Sequence, residues 1–322
     1  MLSYIARRIV QAIPALLGVS VVSFILLHIV PGNPVRLMLG QHYTAARAAA
    51  LSNQLGLNKP LVVQYLIWLV HMCEGNLGFS YSYNVPVTTA ILHALPNTLA
   101  LVLIASLLAQ FIAIILGTIQ AYFENSPFDH IVTILNYFFY SMPSFWLAIL
   151  MVIFFSIDLH WFPSGGVINP QDPNPGFFDW LHHLVLPAVT LTLITLAGWS
   201  RYMRSSVRDN LLLDYIRTAR AKGLRESQVL FRHVLRASLI PQITLFGLSF
   251  PSLFAGALFL EQIFNYPGMG ILYWNAISNL DYPIILGVTM FLGTLTIVGN
   301  LIADILYSII DPRISLGSGD SM

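Results

Sequence analysis

Six apolar runs leave this 322-residue chain little choice of architecture. A helix that crosses a bilayer needs about 20 mostly apolar residues. Ile9–Val30, Thr98–Tyr122, Ile131–Ile157, His183–Ser200, Ile240–Gln262 and Pro283–Ile310 qualify. Lipid offers no partner to a backbone amide or carbonyl, so each run is expected to satisfy its own as a helix. The Gly, Pro and polar residues inside the runs are tolerated where neighbouring helices re-satisfy the backbone. The expected fold class is an all-α integral membrane protein with six transmembrane helices. Charged residues make up 9% of the chain, far below the roughly 25% of a soluble domain, and the mean hydropathy is +0.74.

Charge orients the helices. Nine of the fifteen Lys and Arg residues lie in one hydrophilic stretch, Arg201–Pro241. With the N-terminus inside, that stretch joins Arg7, Arg8 and Arg313 on the cytoplasmic side, twelve cations against Arg36, Arg47 and Lys59 on the other. The positive-inside rule then places both termini in the cytoplasm. Arg7 and Arg8 precede an apolar run too long for a signal-peptide core, so that run reads as the first span.

The expected organisation is residues 1–30 as the cytoplasmic end and first span, and 31–97 as an extracytoplasmic cap. A five-helix core follows over 98–310, including the cytoplasmic loop 201–240, and then a tail over 311–322. The cap carries helical patterns over Thr44–Leu55 and Leu61–His71, punctuated by Pro-Gly, Asn-Lys-Pro and Glu-Gly-Asn turns. Two further outer loops, Asp158–His182 and Phe264–Tyr282, are expected; the second begins NYPGMG, whose glycines suit a tight turn. The sequence contains no internal repeat.

Catalytic signatures are absent. A Walker A loop needs Gly-Lys so that the lysine reaches the terminal phosphates; Lys59 follows Asn58 and Lys222 follows Ala221. There is no HExxH and no GxSxG. The lone Cys73 excludes an intrachain disulfide. Adjacent His182 and His183 would point about 100° apart on a helix and have no obvious third ligand, so packing is favoured over metal binding. A net charge of +1 with its cations in one loop gives no sign of nucleic acid. His28, Glu261 and Asp304 are the ionisable groups within spans. The first two lie near outer ends, within reach of water. Asp304 shares a helix face with Asn300 and reads as a polar clasp between helices rather than as an ion relay.

The cytoplasmic stretch has internal order. Arg201, Arg204 and Arg208 form a basic stripe on an inward extension of the fourth span. Asp214–Lys222 predicts a short helix with an acid first and cations last, the favourable sense for the dipole, and Gly223 suits the left-handed stop. In a second helix Arg225, Arg232 and Arg236 share one face, opposite Leu230 and Val234. Charge alone would fit an anchor on anionic lipid; the helix–Gly–helix order favours a docking surface.

YIRTARAKGL followed by RHVLR and LIP resembles the cytoplasmic signature of the permease subunits of binding-protein-dependent ABC importers, in its dipeptide/oligopeptide/nickel variant. The general signature is Glu-Ala-Ala, three residues, Gly, nine residues, then Ile-x-Leu-Pro. Aligned on Gly223, the chain has Arg217-Thr218-Ala219 and His233-Val234-Leu235-Arg236 at its two ends. PGNPV, GNLGFSYSYNVPV, LPNTLAL, EQIFNYPGMG and DILYSIIDPR extend the likeness nearly end to end. Asn33, Asn58 and Asn76 depart from the resemblance, which leads to an expectation of Asp at these positions.

The resemblance implies a type I importer permease, itself non-catalytic and binding no cofactor, with ATP and Mg on partner subunits. It implies four kinds of neighbour: a second, related permease, two ATPases, an extracytoplasmic substrate-binding protein and the lipid bilayer. The coupling residues it points to are Tyr215, Arg217, Thr218, Ala219, Arg220, Lys222, Gly223, Leu224, Arg225, Arg232 and His233. Glu261, Tyr266, Pro267, Gly268, Met269 and Gly270 would lie at the outer mouth. The implied cargo is a di- or oligopeptide, with oligosaccharide, nickel or another small solute as alternatives. A secondary transporter would more often show inverted repeats and intramembrane ion pairs. An intramembrane enzyme would need a nucleophile paired with a base.

Overall fold

The computed structural model describes residues 2–29, 34–39, 43–54 and 56–310, with side chains described outside 2–9, 34, 37–38, 250–251 and 302–310. In chain order the helices are α1 (Leu2–Ile29), α2 (Pro34–Leu39), α3 (Ala45–Gln54), α4 (Leu61–Cys73) and α5 (Val87–Tyr122). Next come α6 (Pro127–Ser141), α7 (Ser144–Met151) with a π-helical continuation over Val152–Asp158, α8 (Phe177–Leu211) and α9 (Asp214–Ala221). Then α10 (Glu226–Gln228) runs through a π-helical turn, Val229–Val234, into α11 (Leu235–Ile263), followed by α12 (Met269–Ser278) and α13 (Tyr282–Ile310).

Four of these helices are long and apolar enough to cross a membrane, and six spans result if each of two bent pairs counts as one. The first pair covers the expected third span and is bent: α6 and α7 meet at 105°. Pro143 causes the break, because its ring disfavours helical geometry at the preceding residue, and Met142 is accordingly extended, with φ −76° and ψ 131°. The second bend, 54°, falls between Ser249 and Ser252, where Pro251 removes an amide donor. Helices α5 and α8 also outrun their expected spans: 36 residues make about 54 Å of helix, against a hydrocarbon core of about 30 Å.

The chain divides into two compact units, 1–98 with 266–297 and 99–265 with 298–322. In the first, α3 and α4 form where the periodicity predicted them. Gly56 (φ 68°) makes the turn before α4, and Gly75 (φ 82°) the stop after it. Tyr65 on α4 shares a 2.8 Å hydrogen bond with Ser20 on α1. Asp281 is fully buried and accepts from the Ser80 hydroxyl at 2.6 Å and the Ser82 amide at 2.9 Å. Burial first, then the Asp281 carboxylate and Tyr282, push the Tyr81 phenol up to about 12.

The second unit is organised on α8, against which α6, α7 and α11 pack. Over half of its apolar window is buried, 56% against 17% for α1. Small residues permit the close crossings. A Cβ on Gly117 would lie 2.7 Å from the Ser200 carbonyl oxygen and 2.9 Å from the Arg204 nitrogen. A Cβ on Gly165 would clash with the Phe264 carbonyl, and the neighbouring Gly166 amide donates to that oxygen at 2.9 Å.

Candidate coupling surface

α9 lies between the long helices α8 and α11 and has two unlike faces. Ile216 and Ala219 point inward, joining Ala121 of α5, Met203 and Val207 of α8, and Val229 and Val234 of the π-helical turn in one buried apolar cluster. The outer face exposes Asp214, Tyr215, Arg217, Thr218 and Arg220. Such a helix is held by its apolar stripe and leaves its polar side to water.

The ends of α9 are fixed locally. Asp214 supplies the N-terminal acid and pairs with Arg217 at 3.3 Å; the Thr218 hydroxyl donates to the Asp214 carbonyl. At the other end Gly223 is left-handed, with φ 76°. The Gly223 amide donates to the Arg220 carbonyl at 2.9 Å and the Leu224 amide to that of Ala219 at 3.4 Å. This is the reversal that consumes the last free carbonyls of a helix. Arg220 then folds over the turn onto Glu226, with contacts of 2.6 and 3.2 Å, which raises the guanidinium pKa further.

Tyr215 ties α9 to both long helices. Its hydroxyl donates to the Asn210 side-chain oxygen at 3.0 Å, and the Asn210 amide donates to Ser238 Oγ of α11 at 3.2 Å. Partial burial pushes the Tyr215 phenol up.

Behind the seat of α9 lies an ion cluster. Arg204 donates two 2.7 Å hydrogen bonds to the Asp129 carboxylate, whose side chain is 4% exposed. The Asn125 amide donates to the same carboxylate. Glu124 lies 3.9 Å from Arg204 and 3.7 Å from Arg208. The acids are presented by the tight α5–α6 turn, where Ser126 caps α6 by accepting from the Asp129 amide and Pro127 starts the helix. The bond is of the fork-to-fork kind that fixes direction as well as distance.

The expected basic stripe is therefore not offered outward as a unit. Arg204 and Arg208 are engaged by acids, and Arg201 stacks on Tyr137 and Tyr140 at 4.8 and 5.2 Å. The acids were visible in the sequence as ENSPFD, with a Ser-x-x-Asp capping pattern. Their partner, 75 residues away, was not.

Of the remaining expected coupling residues, Lys222, Leu224, Arg225 and Arg232 are exposed and His233 is half-buried. Arg225 precedes α10 rather than lying within a helix, and its amide donates to Gln228. The second helix of the loop is no separate element: it continues through the π-helical turn into α11. That turn buries Val229 and Val234, five apart, while Leu230 is only half-buried.

The expected outer-mouth residues separate. Glu261 was expected within reach of water and is fully buried. It sits inside the last turn of α11, whose end is closed over by the Gly165–Gly166 contact with Phe264. Glu261 belongs to the second unit and residues 266–270 to the first. There Pro267 is exposed, while Tyr266, Gly268, Met269 and Gly270 are buried. The Pro267 carbonyl accepts from Asn97, and the Met269 amide donates to Thr98 at 2.8 Å. The turn launches α12, a helix within the expected outer loop Phe264–Tyr282. Asn300 lies half-buried on α13, and the side chain of Asp304 falls outside the described residues. His182 faces the Trp161 carbonyl at 2.8 Å and His183 the Asp179 carbonyl at 2.9 Å, so the two rings serve different local contacts.

Fold and site together define a class: a polytopic helical membrane subunit carrying a mounted, polar-faced helix between two of its long helices. Residues 113–316 match the family described as binding-protein-dependent transport system inner membrane component, and residues 1–102 match the corresponding N-terminal family. The chain belongs to this family of transporter permeases. It is 43% identical to the oligopeptide transport system permease protein AppB of Bacillus subtilis (strain 168), over 98% of this chain and 99% of AppB. It is 40% identical to the di/tripeptide transport system permease protein DppB of Pseudomonas aeruginosa (strain UCBPP-PA14), over 98% and 99% of the two chains. An inward-facing structure of the MetNI methionine ABC transporter aligns with a TM-score of 0.58 at 15% identity, covering 70% of this chain and 97% of that one. The shared fold is that of a type I ABC importer permease.

Proposed function

We propose that this chain forms half of the translocation path of an ATP-driven peptide importer and receives its driving force through α9. The observation that carries the coupling role is the division of α9 into two faces. One face is buried against the inner ends of α5, α8 and the α11 entry; the other is polar and exposed. A partner pressing on Arg217, Thr218 and Lys222 would move those ends together. In this reading a cytoplasmic ATPase seats on α9, ATP and Mg reside on that partner, and a second permease completes the path. A substrate-binding protein delivers cargo on the opposite side. The peptide assignment is supported by near-full-length similarity to relatives named for oligopeptide and di/tripeptide transport.

Uptake in membrane vesicles carrying the whole transporter tests the cargo. Labelled di- to pentapeptides should accumulate with ATP inside, while oligosaccharide or nickel should not; the reverse preference would refute the peptide assignment. Topology has its own test in the native sequence, because the single cysteine, Cys73, is exposed. A membrane-impermeant maleimide should label it from outside the intact cell. Labelling only after lysis would invert the orientation.

A further inference from the structure

The first unit contains a cavity of about 460 Å³ between α1, α4 and the start of α13, within the size range of small-ligand sites. Its lining is divided by chemistry. Phe24, Leu27, Trp68 and Leu286 make an apolar part, while Asn53, Lys59, His71, Asn76 and Tyr81 bring hydrogen-bonding groups, with no Asp or Glu among the lining residues. His71 has an acid nearby, Glu74 at 3.8 Å, which is outside the lining. The Lys59 turn is built: the Gln64 amide donates to the Leu57 carbonyl at 3.1 Å and the Lys59 carbonyl at 2.7 Å. A cavity with an apolar part, a lysine and no lining carboxylate suits an amphiphile with an anionic head; the Asp281 carboxylate beside Tyr81 lies outside the lining and accepts from Ser80 and Ser82.

The two flanking helices indicate where such an amphiphile comes from. α4 is apolar yet has no buried residue; Leu61, Val62, Leu66 and Val70 are each more than half exposed. Its 13 residues make about 20 Å of helix, too short to cross a core of about 30 Å. The bare aliphatic residues of so short a helix are suited to contact with acyl chains near a bilayer surface. α1 likewise exposes Val22, Ile25, Leu26 and Ile29. The cavity thus lies between two helices that both expose aliphatic surface.

We propose that this cavity holds an anionic phospholipid of the adjacent leaflet, its phosphate near Lys59 and the first part of an acyl chain against Phe24 and Trp68. The phosphodiester receives donors from lysine, amide and phenol groups, and the chain fills the aromatic part.

The test uses the full-length permease in nanodiscs of one part phosphatidylglycerol to nine parts phosphatidylcholine, extracted gently and analysed for retained lipid by native mass spectrometry. The wild type should retain phosphatidylglycerol in preference to phosphatidylcholine. Lys59→Glu should lower that retention about five-fold or more, the scale of one lysine near an anionic headgroup. Ile67→Trp, which narrows the cavity from an exposed position, should lower it without changing charge. Equal retention in wild type and both variants, or no preference in the wild type, would overturn the proposal. Competition by millimolar glycerol phosphate, with no long-chain lipid retained, would assign the site to a free phosphate ester and overturn the lipid assignment.

Discussion

Two short helices, α9 in the second unit and α4 in the first, solve opposite problems. α9 buries Ile216 and Ala219 and shows water an unbroken polar face. α4 buries nothing and leaves aliphatic residues bare. Each is tied to a longer helix by a tyrosine, Tyr215 to Asn210 at 3.0 Å and Tyr65 to Ser20 at 2.8 Å. The attachment is alike, so the free face identifies the neighbour. A polar face suits an aqueous partner, and a bare aliphatic face suits an apolar neighbour.

The comparison breaks most severely at the ion pair behind α9. Asp129→Ala leaves Arg204 half-buried without its bidentate acceptor, and loss of one partner of a buried pair costs about 3–5 kcal/mol. The expected result is a large fall in thermal stability of the purified permease, partly restored by exchanging the two residues, Asp129→Arg with Arg204→Asp. An unchanged melting temperature in Asp129→Ala would mean that the pair does not hold α6 to α8.

Next is Gly117→Val. The added Cβ would lie within 2.9 Å of three atoms of α8, and overpacking of this kind costs about 1–3 kcal/mol. A melting temperature equal to that of the wild type would mean that the α5–α8 crossing is looser than described.

Gly223 separates conformation from contact. A Cβ there meets nothing within 4 Å, but φ is 76°, a region that costs an ordinary residue about 1–2 kcal/mol. Gly223→Leu should therefore reduce ATPase recovery on co-purification, and Gly223→Asn, which tolerates that geometry, should retain most of it. Equal loss in both would make the site a contact rather than a turn.

The smallest stability effect belongs to the exposed faces. Arg217→Ala and Val62→Ser should each change unfolding by less than about 0.5 kcal/mol. Only Arg217→Ala should lower ATP-driven uptake. A similar loss of uptake from Val62→Ser would erase the distinction between the two helices.

Much of this was legible in the sequence because it follows from local rules. Apolar length predicts the long helices, Asp214 and Gly223 bracket α9, and Gly75 ends α4. The relations that were not legible join residues distant in the chain. ENSPFD announces a capped turn but not Arg204 as its partner. Ala219 lies in the motif compared with the family signature, yet its inward face depends on where Val207 and Val229 come to rest. Pro143 marks a break in the third apolar run, while the 105° bend depends on how α6 and α7 pack against α8. Glu261 reads as wet from its place near a span end, yet it is buried; the loop that meets the end of α11 at Phe264 lies nearly 100 residues earlier in the chain. The π-helical turn has no simple pattern; it is visible only as the five-residue spacing of Val229 and Val234.

The most direct test of the coupling account is photo-crosslinking from residue 218 in the assembled transporter, with residue 43 in the cap as control. Thr218 and Tyr43 are both exposed, so either tolerates a photoreactive side chain. An adduct between position 218 and the ATPase is expected, and none from position 43. An intact complex that yields no ATPase adduct from 218 would place the drive elsewhere and contradict the account.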